Sequence, residues 1–374
     1  MQKIFGAVIV LSLLLALQLS GFAAPDDGGR LFSVINGHRA GFIDASGTVI
    51  IPLQFSDVRE FAEGLAPAQA ADSGKWGYID RTGAFVIPPQ YKMAFPFSEG
   101  LAEVWLEPSG GGYIDDTGQM VINGNGGRVS GGLVFIRAKD NTIVTDKNGV
   151  KLFEAPGEAW LVSDGRIAFI ENGKMGFMDR AGKVVIRPTY HRVIYWRDRE
   201  FEEQITPVSI DAGGGKSKYG FIDRTGKTVV DFQFDWAEQF FEGLAMVSKD
   251  GKHGYVNTAG EVVISLQFDL ADHFAEGLAA VAVNGRWGFI DKQGRMVIAP
   301  QYLPRMWGSP MLFSDGLAAV RTDTGTGFIN KAGEMVVPAV YRSVEDFSGG
   351  LARVRPFDPT TYVNRWGEVV WPRD

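Results

Sequence analysis

An all-β repeat protein, built as an open stack of about ten small modules, is what this sequence predicts, and three observations carry that reading. First, an Asp or Asn is followed three residues later by a Gly at ten places: Asp44/Gly47, Asp80/Gly83, Asp115/Gly118, Asp146/Gly149, Asp179/Gly182, Asp223/Gly226, Asn257/Gly260, Asp291/Gly294, Asn330/Gly333 and Asn364/Gly367. Second, the glycines are spaced by 36, 35, 31, 33, 44, 34, 34, 39 and 34 residues. Third, a β-branched or apolar run follows each glycine. Repetition at that period is the signature of a stacked array rather than of one domain with one focal site.

Each element of the unit has a physical reason. The Asp or Asn side chain accepts from backbone N–H groups two residues on, and the Gly supplies a left-handed position that closes a tight hairpin. Before the turn stands Gly-aromatic-Ile/Val, as in Gly41-Phe42-Ile43, Gly77-Tyr78-Ile79, Gly220-Phe221-Ile222 and Gly288-Phe289-Ile290. After it comes a run that reaches Pro, as in Val49-Ile50-Ile51-Pro52, Phe85-Val86-Ile87-Pro88 and Met335-Val336-Val337-Pro338. Proline lacks the donor that continues a ladder, so these strands are expected to end there. An aromatic follows (Phe55, Tyr91, Tyr190, Phe234, Phe268, Tyr302, Tyr341), then Phe-x-x-Gly-Leu, then an alternating run such as Leu278-Ala279-Ala280-Val281-Ala282-Val283. The unit is therefore three short strands plus a connector. So small a unit buries too little apolar surface to stand alone, so neighbours must stack.

Two architectures meet this requirement. An open array makes a curved β-superhelix or solenoid with capped ends; a closed, propeller-like ring brings the ends together. Propeller blades commonly use about 40–45 residues and four strands, in rings of four to eight. Ten units with three clear strands favour the open form, with the connector as the source of a fourth strand if the ring is closed.

The module from Gly285-Arg286-Trp287-Gly288-Phe289-Ile290-Asp291 through Pro300-Gln301-Tyr302 to Phe313-Ser314-Asp315-Gly316-Leu317-Ala318 resembles the bacterial WG-repeat family, as does Gly74-Lys75-Trp76-Gly77-Tyr78-Ile79-Asp80. The resemblance covers about residues 31–372 and implies a β-rich repeat without an assigned activity. Only Trp76-Gly77 and Trp287-Gly288 keep the dipeptide in register; Ala40, Gly111, Met175, Tyr219, His253 and Thr326 stand in the Trp position elsewhere, and Trp366-Gly367 is out of register because Gly367 is a turn glycine.

The organisation along the chain follows. Met1-Gln2-Lys3, the apolar stretch Ile4 to Leu19 and the small residues around Ala23 read as a secretory signal over residues 1–23, cleaved after Ala23, with an uncleaved anchor as the alternative. Residues 24–30 are a linker, 31–122 N-terminal repeats, 123–170 a degenerate region lacking the usual Pro and Tyr, and 171–372 C-terminal repeats. No second hydrophobic span follows, so the mature chain is expected to carry no transmembrane span and to be exported: periplasmic, extracellular or attached at the cell surface. The absence of cysteine excludes disulfides and a lipidated cysteine.

Chemistry is harder to find. With 37 basic against 44 acidic residues the net charge is −7, and no basic stripe offsets phosphate repulsion, so nucleic acid is not an expected partner. The turn position after the Asp or Asn is basic in seven modules (Arg81, Lys147, Arg180, Arg224, Lys292, Lys331, Arg365), a row of cations if the modules stack in register. A row of acids precedes the Gly-Leu step (Glu63, Glu99, Glu242, Glu276, Asp315), but one acid per module does not concentrate the oxygens that calcium needs. The four histidines fall in separate modules and there is no Gly-x-Ser-x-Gly elbow. No catalytic, cofactor-binding or metal-binding residue is assigned, and the chain is read as a non-enzyme. The breaks in the repeat are the better candidates. The 44-residue gap carries Tyr195, Trp196, Arg197 and Arg199, and the 39-residue gap carries Arg305 and Trp307, residue types that dominate binding hot spots. The expected function is an exported scaffold for protein–protein interaction; the alternative is a module for cell-wall or other carbohydrate, with Trp76, Trp105, Trp196 and Trp287 stacking on sugar rings, and a hydrolase is the third class.

Overall fold

The computed structural model describes residues 29–124, 127–161, 165–191, 205–305, 311–355 and 359–372. Every regular element among them is a β-strand, and the sheets are small antiparallel meanders. Modules are numbered here by their turn glycine, from module 1 (Gly47) to module 10 (Gly367).

Module 8 shows the unit. Its strands are Leu270–Ala271, Leu278–Val283, Arg286–Asp291 and Met296–Tyr302, in that spatial order. The connector thus supplies a fourth strand, so the three-strand unit read from the sequence is corrected. That extra strand is only two residues long, too short for its alternation to be visible. The same four-strand order recurs at residues 128–156, inside the stretch read as degenerate. Modules 5 and 6 share a seven-stranded sheet, joined where His191 pairs with Ser209.

The last strand does not stop at its proline, which corrects a second expectation. Met296–Tyr302 runs through Pro300 because Trp287 pairs with Tyr302 and Phe289 with Ile298, so the intervening residues bulge out of the ladder. A bulge is where proline's missing donor does no harm. The bulge also explains the Gly of the Trp-Gly dipeptide. A Cβ on Gly288 would lie 2.3 Å from the Ile298 carbonyl oxygen and 2.7 Å from the Pro300 nitrogen, and Gly41, Gly77, Gly220, Gly254 and Gly327 meet the same backbone crossing.

The central strands are buried on both sides, so alternation assigns their residues to different neighbours. Ala279 and Val281 pack with module 7, whereas Leu278, Ala280 and Ala282 pack with module 9. Ten apolar clusters repeat this arrangement among the described residues, each shared by two successive modules, and one of them joins module 10 to module 1. In that cluster Leu351 and Tyr362 pack on Phe32, Val34 and Ile43.

The turn glycines tell the same story, and their role is larger than the sequence reading gave them. Each turn is a three-residue loop with the glycine in third place. Asp179 N–H donates to Lys183 O (2.9 Å) and Gly182 N–H to Asp179 O (3.0 Å), while Gly226, Gly260 and Gly333 donate likewise to Asp223, Asn257 and Asn330 at 2.9–3.0 Å. The reading from sequence gave these glycines the left-handed position that closes each hairpin, which they take, and most of them also touch the module before them. A Cβ on Gly182 would lie 2.6 Å from the Phe153 ring of module 4, one on Gly226 3.2 Å from Ile186 of module 5, one on Gly260 2.8 Å from Val230 of module 6 and one on Gly333 3.3 Å from Ile298 of module 8. Gly83 and Gly118 meet Ile51 and Ile87 of the preceding modules at 2.8 and 2.9 Å in the same way. For Gly47 the neighbour is module 10, whose Val370 oxygen would stand 2.0 Å from the added carbon.

Among the described residues the last module packs on the first through the contact that joins other neighbours, so the free, separately capped ends expected of an open array are not found there. Hydrogen bonds reinforce the seam: Thr360 N–H donates to Ile35 O (2.9 Å), Ile35 N–H to Thr360 Oγ1 (3.1 Å) and the Tyr362 hydroxyl to Ser33 O (3.0 Å). In module 8 the corresponding strand edge is paired by the short first strand, through Asp269 N–H to Ala282 O and Asp272 N–H to Ala280 O. At the seam, side chains and a loop of module 10 cover the edge of Phe32–Asn36. Arg353 adds a bridge to Ser33 Oγ and to Glu60 Oε1 (2.7 Å).

Candidate functional site

Two kinds of turn meet along one face of the modules. In the Asp-x-x-Gly turns the side chain holds the loop: Asp291 Oδ1 accepts from Gln293 N–H (3.0 Å) and Arg295 N–H (2.9 Å), and Asn330 and Asn364 do the same through Oδ1. The second kind is the two-residue hairpin before Gly-Leu. Glu276 (φ 52°) and Gly277 (φ 86°) sit between reciprocal Ala275 and Leu278 bonds, so both take left-handed backbone and turn their amides outward.

Those outward amides hold carboxylates. Glu63 accepts from Glu99 N–H (2.6 Å) and Gly100 N–H (2.8 Å) of the next module, and Glu99 from Gly131 N–H and Gly132 N–H (both 2.6 Å). Glu242 reaches Gly277 N–H (3.1 Å), Glu276 reaches Gly316 N–H (3.1 Å) and Asp315 reaches Gly350 N–H (2.8 Å). The acid row read from the sequence is thus a series of clamps from one module to the next. The basic row closes on it. Lys292 Nζ lies 2.9 Å from Glu242 O and 3.1 Å from Glu242 Oε2, Lys331 Nζ lies 3.1 Å from Glu276 Oε2, and Lys147 and Arg365 each donate at 2.9 Å to the carbonyls of Glu99 and Asp315. Arg81 and Arg180 donate to Gly29 O and Gly131 O. These cations hold the modules together and do not form a free row.

The candidate docking residues divide differently. Tyr195, Trp196, Arg197, Arg199 and Trp307 lie outside the described residues. Arg305 is not presented to solvent: its side chain is 10% exposed, pairs with Asp346 at 2.9 Å and donates to Val344 O at 3.3 Å. On the other side of residues 306–310, Met311 N–H donates to Asp272 Oδ2 at 2.9 Å, so both flanks of that insertion are tied to neighbouring modules. Trp76 and Trp287 are buried and cannot act as a sugar platform, while the Trp105 indole donates to Glu103 at 2.9 Å. His253, in the same slot, is held below the usual imidazole range by burial. Sequence reasoning set aside Trp366, which is 63% exposed in its turn; its signal was a Trp where other turns place a small or polar residue.

Among the described residues one pair of carboxyls is shifted upward. Burial, and then the neighbouring Asp272 charge, push Glu238 up to about 7; burial pushes Asp272 up to about 6, against the Met311 amide and Arg305, which lower it. Raised acids of this kind leave stability intact below pH 4, where folded and unfolded chains are both protonated. Stability is then lost as pH rises to the folded values of about 6 and 7. Glu238→Gln is accordingly expected to stabilise the fold at pH 8, by an amount on the order of 1–3 kcal/mol read as a higher thermal midpoint, and to change it little at pH 4. Equal shifts at the two pH values would remove the ionic explanation. Among the described residues no group of three His, Asp or Glu side chains could hold a metal ion, and no helix is long and apolar enough to cross a membrane.

Comparison with known proteins concerns the repeat and the fold. No curated protein matches the chain in sequence. Among solved structures it is similar to a crystal structure of the eukaryotic initiation factor (TM-score 0.54, 12% identity, 91% of this chain and 95% of that one). It also aligns with BamB from Moraxella catarrhalis (TM-score 0.38, 11% identity, 74% and 92%) and with the computationally designed Ika8 protein (TM-score 0.37, 14% identity, 82% and 98%). At these identities the likeness is one of fold alone, and of the three only the first is close enough to carry weight. The model of the WG containing repeat matches residues 41–71, 76–104, 175–211, 219–252, 254–287, 287–302 and 327–355. More than half of the sequence lies in these stretches, with the Trp-Gly position, the bulge over its glycine and the turn that follows in register; the chain belongs to the family of the WG containing repeat.

Proposed function

We propose that the protein is an exported, non-enzymatic scaffold: a closed, propeller-like ring of ten modules that binds a protein partner through the segments interrupting its repeat. The observation that carries this reading is the fate of the repeated polar residues. The acids and cations that recur on the turn face are bonded to adjacent modules, and most of the recurring aromatics are buried. What repeats therefore builds the ring, and recognition falls to what does not repeat: residues 192–204, residues 306–310 and the exposed Trp366. Export rests on the sequence of residues 1–23.

The test is capture from envelope extract and insoluble cell wall by residues 24–374, beside a variant with Tyr195, Trp196, Arg197 and Trp307 changed to Ala. A discrete protein that crosslinks to the native chain, and at least tenfold less to the variant, is the expected result. Equal retention of both forms on cell wall would overturn the reading and favour a glycan-binding ring.

A further inference from the structure

The carboxylate clamps are not continuous around the ring among the described residues, which include Gly29, Glu63, Gly64 and Arg81 at the break between modules 1 and 2. The clamp acid occupies the first left-handed position of each hairpin, as Glu63, Glu99, Glu242 and Glu276 do at φ 52–55°. In module 1 that position is Gly29 (φ 78°), identified by its carbonyl, which receives Arg81 just as the Glu242 carbonyl receives Lys292. Gly29 has no side chain to offer. Among the described residues no carboxylate reaches the amides of Glu63 and Gly64, although the hairpin has the geometry of the occupied ones, with φ 52° and 88° and reciprocal Ala62 and Leu65 bonds.

The occupied junctions show what this seat takes. At module 8 the Glu242 carboxylate is held by the Gly277 amide and Lys292, and at module 9 the Glu276 carboxylate by the Gly316 amide and Lys331. In each case the cation comes from the turn of the module that supplies the amide. In module 2 that residue is Arg81, whose guanidinium has five donors, one of them spent on Gly29 O. Glu63 does not block the seat with its own charge, because its carboxylate is turned to Glu99 and Gly100. Paired backbone amides with an adjacent guanidinium form an anion-binding concavity, and charge-assisted bonds to carboxylate are the strong ones.

We propose that Glu63 N–H, Gly64 N–H and Arg81 form a carboxylate-binding site that takes its ligand from outside the ring. The site exists whether or not the ring serves as a scaffold. It is tested by following the Glu63 and Gly64 amide resonances of residues 24–374 during titration with sodium acetate and, separately, with the blocked peptide acetyl-Ala-Glu-Ala-amide. Saturable shifts confined to these amides and the Arg81 side chain are expected. Arg81→Ala should weaken binding at least fivefold, and Gly29→Glu, which returns the missing clamp, should abolish it while raising the thermal midpoint. A peptide that saturates at tenfold lower concentration than acetate assigns the seat to a protein-borne carboxylate; equal concentrations assign it to a small organic acid. Amides unmoved by either probe, or moved equally in Gly29→Glu, would overturn the proposal.

Discussion

Gly288→Ala is expected to lower stability by about 3 kcal/mol or more, although it adds a single methyl group. The added carbon would lie 2.3 Å from the Ile298 oxygen and 2.7 Å from the Pro300 nitrogen, both backbone atoms of the bulged strand, so no side chain can move aside to admit it. Relief requires shifting the bulge, which disturbs the pairings of Trp287 with Tyr302 and Phe289 with Ile298 and the cluster packed beneath them. A control separates this effect from backbone preference. Gly285 has φ 75° with nothing within 4 Å of the place a methyl group would take, so Gly285→Ala carries only the left-handed penalty of about 1–2 kcal/mol. Urea unfolding monitored by tryptophan fluorescence compares the two. If Gly288→Ala costs no more than the control, the bulge is not why the dipeptide carries glycine.

The second large effect is expected at the seam. Tyr362 is 3% exposed, its ring lies edge-on to Phe32 with centroids 5.7 Å apart, and its hydroxyl donates to Ser33 O at 3.0 Å. Removing a buried aromatic ring costs about 3–5 kcal/mol, so Tyr362→Ala should open the junction of modules 10 and 1 before any other junction yields. Tyr362→Phe keeps the ring and loses two bonds, the one its hydroxyl donates to Ser33 O and the one it accepts from Arg353 Nε, for a smaller cost of about 1–3 kcal/mol. Because the chain has no cysteine, spin labels at Ser46→Cys and Trp366→Cys report the junction without background. A single short distance is expected in the otherwise native protein, with a broad, longer distribution in Tyr362→Ala. A long distance in both would show that the ends do not meet, and would return the architecture to an open stack.

Much of the local structure was legible because its causes are local. Asp291, Gln293, Gly294 and Arg295 make one turn among themselves, and the Asp-x-x-Gly spacing announces it wherever it recurs. The second demand on the turn glycine was not legible, since the Phe153 ring that crowds Gly182 belongs to the module before it. The runs around Phe289 and Ile298 read as strands because their periodicity is also local. The short first strand was hidden, since two paired residues at Leu270–Ala271 leave no periodicity. The route of the chain through Pro300 was hidden too, because a proline halts a regular ladder and only the opposing register reveals a bulge. The recurring acids and cations were visible as rows, but each partner lies roughly 35 to 50 positions away, as with Glu242 and Gly277 or Lys292 and Glu242.

By itself, the sequence determined an all-β chain of turn-punctuated modules in the WG containing repeat family, with its turn residues and alternating core positions, because hairpins and strand periodicity arise within a few neighbouring residues. Only the tertiary structure decided that the last module packs on the first, that the charged rows clamp one module to the next, and that Arg305 is paired with Asp346. Those outcomes depend on contacts between modules, whose partners lie roughly 35 to 50 positions apart or at opposite ends of the chain. No single module encodes them, because each contact needs the packing faces of two modules to be brought together.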